Sequence, residues 1–224
     1  MDKKTVFSHI DHTLLKPEAQ WKDVDRVCKE AVDNCMASAC IPPRFVKLAK
    51  EKYGNRLNLC TVIGFPLGYN TMRVKVFEAQ EAVLDGADEI DMVIHIGDAK
   101  AGDFDRVTEE IRAVKAAING RILKVIVETC YLTDAEKAAL CRCVTDAGAD
   151  FIKTSTGFGT GGATAADIEL FKQHIGEEVR MKASGGIRTK EAIEGFINQG
   201  CARIGASSGL TAYQDQPDTQ NTGY

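Results

Sequence analysis

The chain of 224 residues lacks the features that mark membrane-spanning, nucleic-acid-binding and secreted proteins. No apolar run approaches the ~18 residues that cross a bilayer, and the first residues, MDKKTVFSHIDHTLLK, contain no apolar segment typical of a secretory signal. The formal net charge is −4 and there is no block of basic residues, which argues against nucleic acid or a membrane surface as partner. We therefore expect a soluble, cytoplasmic protein that acts on small molecules.

Metal-binding and disulfide patterns are also missing. The eight cysteines are scattered, with Cys141 and Cys143 as the only close pair, and the four histidines form no ligand set with them. We therefore predict reduced thiols that pack as small hydrophobic side chains, and no metal ion.

Strand and helix patterns alternate from one end of the chain to the other, and no linker interrupts them. Eight candidate strands occupy residues 6–10, 37–41, 58–63, 89–94, 123–128, 150–154, 179–182 and 202–205. Six candidate amphipathic helices occupy residues 21–32, 72–84, 104–118, 134–146, 165–174 and 190–198. Such alternation predicts a parallel sheet. We expect one domain over residues 1–213 and a polar, flexible tail over 214–224.

Three joints between a helix and the next strand resemble one another: LDGADEIDM, TDAGADFIKT and NQGCARIGA. In each, a glycine stands where a left-handed helix C-cap is expected. The fifth residue after that glycine is Asp91, Lys153 or Gly205, so these positions are equivalent. In a closed (β/α)8 barrel they belong to strands four, six and eight and share one mouth. An open doubly wound sheet is the alternative, but its first turn is normally rich in glycine, whereas this one reads HIDHTLLKP.

A second lysine, Lys182 in RMKASGGIR, ends strand seven beside Lys153. A single lysine at a strand end is usually a surface residue, but two ammonium groups close together repel, so one amine can be neutral near physiological pH. We expect Lys182 to keep Lys153 unprotonated, so that Lys153 can attack a carbonyl and form a Schiff base. Asp91 is expected to move protons, directly or through water, or to act as an ion-pair partner.

Glycine-rich segments follow strands six, seven and eight and line the same mouth: STGFGTGGAT, SGGIR and GASSG. Backbone N–H groups in such loops often bind phosphate. Gly185, Gly186, Ser207 and Ser208 are therefore predicted to form an anion site. Cys40 ends strand two, where it either packs or contacts the substrate.

The motifs HIDHTLLKP, TVIGFPLG, ADEIDMV, KVIVETC, ADFIKTSTGF, KASGGIRT and RIGASSG, in this order, resemble those of deoxyribose-phosphate aldolases. The resemblance implies a class I aldolase, without metal or organic cofactor, that interconverts 2-deoxy-D-ribose 5-phosphate with D-glyceraldehyde 3-phosphate and acetaldehyde. It implies Lys153 as the Schiff-base lysine, Lys182 as the lysine that tunes it and Asp91 as the proton-transfer group. Together, the residues and the resemblance predict as substrate contacts Asp11, Thr13, Cys40, Thr156, Gly157, Gly185, Gly186, Arg188, Gly205, Ser207 and Ser208.

The resemblance also implies that the terminal Tyr224 assists proton transfer at the mouth and that the chain forms a homodimer. His95, Gly159, Tyr69 and Met72 depart from the residues common in such enzymes, which bears on the shape of the pocket. Two alternatives stay open. One is another Schiff-base barrel, such as a transaldolase-like or keto-acid aldolase, and the other is a non-catalytic barrel that binds sugar phosphates.

Overall fold

Eight parallel strands close into a barrel in the computed structural model, which describes residues 1–213. The strands pair in chain order, and β8 pairs with β1. They are β1 (Ile10–Thr13), β2 (Ser38–Cys40), β3 (Leu59–Ile63), β4 (Glu89–Val93), β5 (Ile122–Ile126), β6 (Phe151–Lys153), β7 (Arg180–Ser184) and β8 (Cys201–Ala206). The predicted (β/α)8 barrel is confirmed. The tail predicted for residues 214–224 lies outside the described residues.

Helices separate the strands along residues 1–213. They are α1 (Lys3–Phe7), α2 (Trp21–Asp33), α3 (Val46–Tyr53), α4 (Met72–Leu84), α5 (Ile96–Ala101), α6 (Phe104–Ala117), α7 (Asp134–Asp146), α8 (Ala165–His174) and α9 (Lys190–Asn198). All six predicted helices are present, and their bounds agree with the prediction to within one residue. No helix of the described chain is long and apolar enough to cross a membrane.

The predicted first strand, residues 6–10, is wrong, because these residues belong mainly to α1 and the turn after it, and β1 begins at the last of them. Asp2 caps α1: its side chain accepts a hydrogen bond from the backbone N–H of Thr5 at 2.9 Å. Val6 and Phe7 are buried in the core. Adjacent apolar residues fit a buried strand and a short helix equally well, and the N-cap favours the helix.

Glycine ends three of the helices, as the sequence predicts. Gly86, Gly148 and Gly200 have φ angles of 103°, 72° and 100°, in the left-handed region that other residues enter only at a cost. Each is followed within three residues by β4, β6 or β8. The three joints are therefore structurally equivalent.

Alternate residues along each strand face outward, and the outward-facing side chains are apolar and pack against the helices. Ile90 and Met92 of β4 and Val125 of β5 are fully buried, and they belong to one apolar cluster with Val107 and Ile111 of α6. Burying a side chain of this size stabilises the fold by about 1.5–3 kcal/mol. The alternate residues of the same strands point into the barrel.

Inside the barrel, alternate strands contribute three levels of side chains, as is usual for this fold. The lowest level comes from even-numbered strands and contains Ser38, Glu89, Phe151 and Arg203. The middle level comes from odd-numbered strands and contains Asp11, Cys60, Lys124 and Lys182. The level nearest the C-terminal strand ends contains Cys40, Asp91, Lys153 and Gly205. Branched apolar residues usually fill this space, so the many charges mark it as a place for chemistry.

Candidate active site

Three lysines converge on Asp91 inside the barrel. Lys153 and Lys182 each donate to Oδ2 of Asp91 at 2.7 Å, and Lys124 donates to Oδ1 at 2.9 Å. All four side chains are buried, with Lys153 the most exposed at 4%. The structure thus brings together Asp91, Lys153 and Lys182, as expected from the sequence, and adds Lys124.

Gly205 leaves the space through which Lys182 reaches this cluster. A Cβ atom at Gly205 would lie 2.9 Å from Cβ of Ser184 and 3.3 Å from Cε of Lys182, which is too close for normal packing. With that space open, Lys182 donates to Asp91 and also to Oδ2 of Asp11, at 2.5 Å. The glycine was predicted as a phosphate contact, and in the structure it also positions a lysine.

Arg203 links the lysine–aspartate cluster to the lowest level of the barrel through hydrogen bonds. Its guanidinium donates to Oδ1 of Asp11 at 2.7 Å and forks onto the two carboxylate oxygens of Glu89 at 2.8 and 2.9 Å. Lys124 also pairs with Glu89, at 2.6 Å. Paired guanidinium and carboxylate groups of this geometry are among the strongest hydrogen-bonded contacts in proteins.

The network contains one more cationic group than it has carboxylates. Asp11, Glu89 and Asp91 supply three carboxylates, and Lys124, Lys153, Lys182 and Arg203 supply four cationic groups. The cationic groups of this network therefore outnumber its carboxylates by one, and of the four cationic groups only Lys153 lines the cavity at the mouth.

Pairing fixes the charge of both neighbours of Lys153. Burial alone would favour the neutral acid, but the ammonium groups of Lys124, Lys153 and Lys182 hold the pKa of Asp91 well below its usual range. Burial disfavours the charged form of Lys182, yet Asp11 and Asp91 outweigh it and raise its pKa. Near neutral pH, Asp91 is therefore an anion and Lys182 a cation.

A cavity of about 340 Å³ opens at the C-terminal ends of the strands, and Lys153 is the one lysine of the three that lines it. Lys16 and Arg188 line it as well, and no carboxylate is among its lining residues in the described chain. A concave site with cations and no anions attracts negatively charged ligands. The cavity therefore combines a reachable amine with a preference for anions.

Most of the predicted substrate contacts line this cavity: Thr13, Thr156, Gly157, Gly185, Gly186, Arg188, Gly205 and Ser207. Asp11 and Cys40 do not, because both are fully buried inside the barrel. Ser208 does not line it either, and its hydroxyl donates to the carbonyl of Ile187 at 3.3 Å. Tyr224 lies outside the described residues.

Glycine shapes the wall formed by the loops after β6 and β7. Gly157, Gly185 and Gly186 have φ angles of 86°, 83° and 74°. A Cβ atom at Gly162 would lie 2.1 Å from the carbonyl oxygen of Gly185, so the two loops approach each other at backbone distance. Only glycine permits this contact, which closes the cavity beside Lys153.

Glu128 was not predicted, although it follows β5 at the edge of the site. Its backbone is left-handed (φ 58°, ψ 67°), and its buried carboxylate accepts hydrogen bonds from the Thr156 backbone N–H at 3.2 Å and from the Thr156 hydroxyl. Burial raises the pKa of Glu128. It anchors the start of the loop that follows Lys153, and the signal in the sequence was an acidic residue at a strand end, in KVIVETC.

A second, larger cavity of about 570 Å³ lies beside α4 and α6. Tyr69, Met72 and His95, three of the four departures from the usual pattern, line it, and none of the three converging lysines does. The fourth, Gly159, lies against Glu128 instead. The departures therefore do not line the cavity that contains Lys153.

Residues 3–215 match the family described as DeoC/LacD family aldolase. The chain belongs to this family. It is 55% identical over 207 residues to deoxyribose-phosphate aldolase of Clostridium botulinum (strain Alaska E43 / Type E3), which covers 92% of this chain and 94% of that protein. It is 50% identical over 222 residues to deoxyribose-phosphate aldolase of Streptococcus agalactiae serotype Ia, which covers 99% and 100%.

Solved structures agree with these relatives. Deoxyribose phosphate aldolase of Aeropyrum pernix, described as a tetramer, is 32% identical, with a TM-score of 0.87 over 94% of this chain and 90% of that one. A structure named QR15, an aldolase, is 40% identical, with a TM-score of 0.87 over 91% and 92%. The resemblance found in the sequence motifs is confirmed, and the chain is an enzyme of the lyase class.

Proposed function

We propose that the protein is a class I aldolase that reversibly cleaves 2-deoxy-D-ribose 5-phosphate to D-glyceraldehyde 3-phosphate and acetaldehyde. The observation that carries this proposal is the position of Lys153, whose amine lies 2.7 Å from Asp91 and faces a cavity rich in cations. Lys124 and Lys182 are fully buried and ion-paired, so a carbonyl entering through the mouth meets Lys153 first. The names of the relatives support this choice of sugar phosphate.

The chemistry begins with the open-chain aldehyde of the sugar. The neutral amine of Lys153 attacks C1, and loss of water gives an iminium ion. The C3 hydroxyl then loses its proton and the C2–C3 bond breaks, so that C3 becomes the aldehyde of glyceraldehyde 3-phosphate and the bonding electrons form an enamine at C2. Protonation of C2 and hydrolysis of the iminium release acetaldehyde and restore the lysine.

Asp91 and Lys182 have distinct roles in this scheme. Lys182 stays charged and disfavours a second charge on Lys153, which shares Oδ2 of Asp91 with it. Asp91 has a lowered pKa, so it holds a proton only briefly. It therefore passes protons between the lysines, water and the substrate hydroxyl rather than storing one.

The phosphate binds at the far side of the cavity in this proposal. Gly185, Gly186 and Ser207 belong to the loops after β7 and β8, where barrels of this type often bind phosphate, and Arg188 adds a positive charge. A doubly charged group held there directs C1 of the sugar toward Lys153. Binding energy from the phosphate thus orients the reacting carbon.

Borohydride trapping tests the proposal. The enzyme is treated with acetaldehyde and sodium borohydride, and we expect one ethyl group on the amine of Lys153 by intact mass and peptide mapping. Lys153→Ala should give no adduct and should lose at least ~100-fold in activity, as expected on deleting a covalent nucleophile. An adduct on Lys182 or Lys124, with Lys153 unmodified, would reverse the assignment.

The donor specificity separates the proposal from its alternatives. We expect acetaldehyde to be trapped and condensed with glyceraldehyde 3-phosphate, whereas dihydroxyacetone and pyruvate are not. A preference for either ketone donor would indicate a transaldolase-like or keto-acid aldolase. Binding of the sugar phosphate without any trapped adduct or cleavage would indicate a non-catalytic barrel.

A homodimer stays a prediction, for which the tetrameric relative gives only a precedent for assembly. Light scattering at enzyme concentrations spanning the range used in the assay measures the oligomeric state directly.

A further inference from the structure

Two thiols lie side by side inside the barrel, next to Asp91. Cys40 of β2 and Cys60 of β3 are direct partners in the strand register, and both are fully buried. Their Sγ atoms and one carboxylate oxygen of Asp91 all lie within 4.8 Å of one another. Cys60 was predicted only to pack and Cys40 either to pack or to contact the substrate, but the pair touches the charge network of the active site through Cys60.

The strand geometry permits a covalent bond between the two sulfurs. Neighbouring strands lie about 4.7–4.9 Å apart, and the Cα atoms of a disulfide are usually about 4.4–6.8 Å apart. Directly paired residues on adjacent strands therefore fall within this range. The two Sγ atoms already lie within 4.8 Å of each other, so the bond requires the side chains to turn toward each other from neighbouring positions.

The two thiols differ in reactivity. The neighbouring Cys60 thiol lowers the pKa of Cys40 in spite of its burial, whereas burial raises the pKa of Cys60 well above its usual range. Cys40 is thus the sulfur more readily present as a thiolate, the nucleophilic form, and Cys60 is the neighbouring thiol. Leu15 lines the mouth cavity and packs against the apolar cluster that contains the pair, so the pair lies next to the wall of that cavity.

A metal ion is a less favourable occupant of the same place. Two sulfurs and a carboxylate oxygen are ligands that zinc accepts. However, Oδ1 of Asp91 already accepts a hydrogen bond from Lys124, and Oδ2 accepts from Lys153 and Lys182. A divalent cation would meet the ammonium groups of Lys124 and Lys182, whereas oxidation of two thiols adds no charge.

We propose that Cys40 and Cys60 form a reversible disulfide when the enzyme meets a hydroperoxide, and that this bond switches the active site off. The Cys40 thiolate attacks the O–O bond, which gives a sulfenic acid and releases hydroxide. The sulfur of Cys60 then attacks the Cys40 sulfur, the S–O bond breaks, and the oxygen leaves as water. In total, two thiols and one hydrogen peroxide give one disulfide and two waters.

The bond would remove a support of Asp91. The Cys60 thiol donates to Oδ1 of Asp91 at 3.2 Å and accepts from Lys124 at 3.3 Å. In a disulfide, this sulfur has no proton to donate and is drawn toward Cys40. Because Asp91 positions Lys153, we expect the oxidised enzyme to be at least about tenfold slower, the scale of one hydrogen bond to a charged group.

The experiment uses the whole enzyme and hydrogen peroxide. After oxidation and blocking of the remaining thiols, we expect the intact mass to show the loss of two hydrogen atoms. Trypsin cuts at Arg44 and Arg56, so a disulfide between Cys40 and Cys60 joins peptides 30–44 and 57–73. We expect that linked pair without reductant, its disappearance with dithiothreitol, and parallel loss and recovery of cleavage activity.

Two variants separate this pair from other thiols. Cys60→Ala has no second thiol, so peroxide should give no linked peptides, and oxidation of Cys40 should appear instead as added oxygen on peptide 30–44. Cys35→Ser is the matched control, because Cys35 is exposed and lies on the same tryptic peptide as Cys40. After peroxide and then dithiothreitol, Cys35→Ser should recover the same fraction of its own reduced activity as the wild type recovers.

The activity arm rests on the proposed function, whereas the peptide map does not. If the reduced enzyme does not cleave 2-deoxyribose 5-phosphate, the proposed function is refuted. The peptide map alone then decides whether the disulfide forms. Oxidation without the linked peptides, linkage only through Cys35, or an oxidised enzyme with full activity would overturn the switch. The peptide map of the oxidised wild-type enzyme tests the disulfide even if Cys60→Ala does not fold.

Discussion

Replacing Lys182 should move imine formation to higher pH, because Lys182 and Lys153 share one oxygen of Asp91. Both Nζ atoms lie 2.7 Å from Oδ2, so they are no more than twice that distance, about 5.4 Å, apart. At this separation and an effective dielectric constant of about 20, two unit charges repel by about 3 kcal/mol. That repulsion corresponds to about 2 pH units.

Lys182→Met removes this repulsion and gives Lys153 the whole of Oδ2. We therefore expect the pH at which half of the enzyme is trapped with acetaldehyde and borohydride to rise by about 2 units. The substitution also takes one partner from Asp11 and Asp91, both fully buried, so it should destabilise the fold by about 3–5 kcal/mol. Urea unfolding monitored by circular dichroism identifies conditions in which the variant is folded, and trapping is measured there.

Lys124→Met is the matched control for Lys182→Met. Lys124 is equally buried and contacts the same carboxylate, but through Oδ1, so it lies farther from the oxygen that Lys153 uses. Its loss should destabilise the fold by a similar amount and shift the trapping profile less. Equal shifts in the two variants would show that total charge, and not the proximity of Lys182, tunes the amine, and an unchanged profile in both would refute the electrostatic account.

Three further predictions concern the phosphate, the acid limb of stability and the chain terminus. Ser207→Asp should raise KM for deoxyribose 5-phosphate at least ~10-fold by like-charge repulsion, with unphosphorylated 2-deoxyribose changed less than ~2-fold; equal losses would place the phosphate elsewhere. The lowered pKa values of Asp11 and Asp91 stabilise the fold above the ordinary aspartate pKa of 3.8, and this contribution is lost as the pH falls through their folded values. Urea midpoints that stay constant from neutral pH into strong acid would contradict it. Deleting Tyr224 should slow proton exchange at the acetaldehyde methyl group by ~10- to 100-fold while trapping at Lys153 survives, and an unchanged rate by NMR would refute a role for the tail.

The barrel and its upper level of side chains could be predicted because one local signal repeats. A glycine that ends a helix sets the position at which the next strand begins, so the fifth residue after it falls at the same height on β4, β6 and β8. This counting placed Asp91, Lys153 and Gly205 at one level, where the structure has them. The same counting says nothing of strands that lack the glycine.

The lower level was missed although the same count reaches it. The third residues after the three glycines are Glu89, Phe151 and Arg203, two positions before the first set and therefore on the same face of each strand. In the structure Arg203 pairs with Glu89 and lies 5.7 Å from the ring of Phe151. Charged residues such as Glu89 and Arg203 inside a short strand suggest a face exposed to solvent. Only the pairing register of the strands shows that their side chains point into the barrel.

Lys124 and Glu128 could not be placed from the sequence for a different reason. Both lie on or after β5, and the segment INGRIL before it does not repeat the pattern of the three glycine joints, so the same count does not fix its height. Lys124 faces Asp91 only because β5 pairs with β4 in a particular register, and Glu128 reaches Thr156 only across the next strand. Such contacts depend on the register between neighbouring strands, which the local sequence does not reveal.

The ionic interior is better explained by chemistry than by stability. A buried ion-pair network is often no more stable than apolar residues of the same volume, and breaking one pair is costly. Here each level supports the next: Glu89 and Arg203 hold Asp11 and Lys124, and these hold the carboxylate and the ammonium groups around Lys153. The network contains one cation more than it has carboxylates, and the extra cation is the lysine that faces the cavity. An apolar interior could not hold charged groups in this arrangement, so the network serves to position the lysine amine that lines the cavity against Asp91.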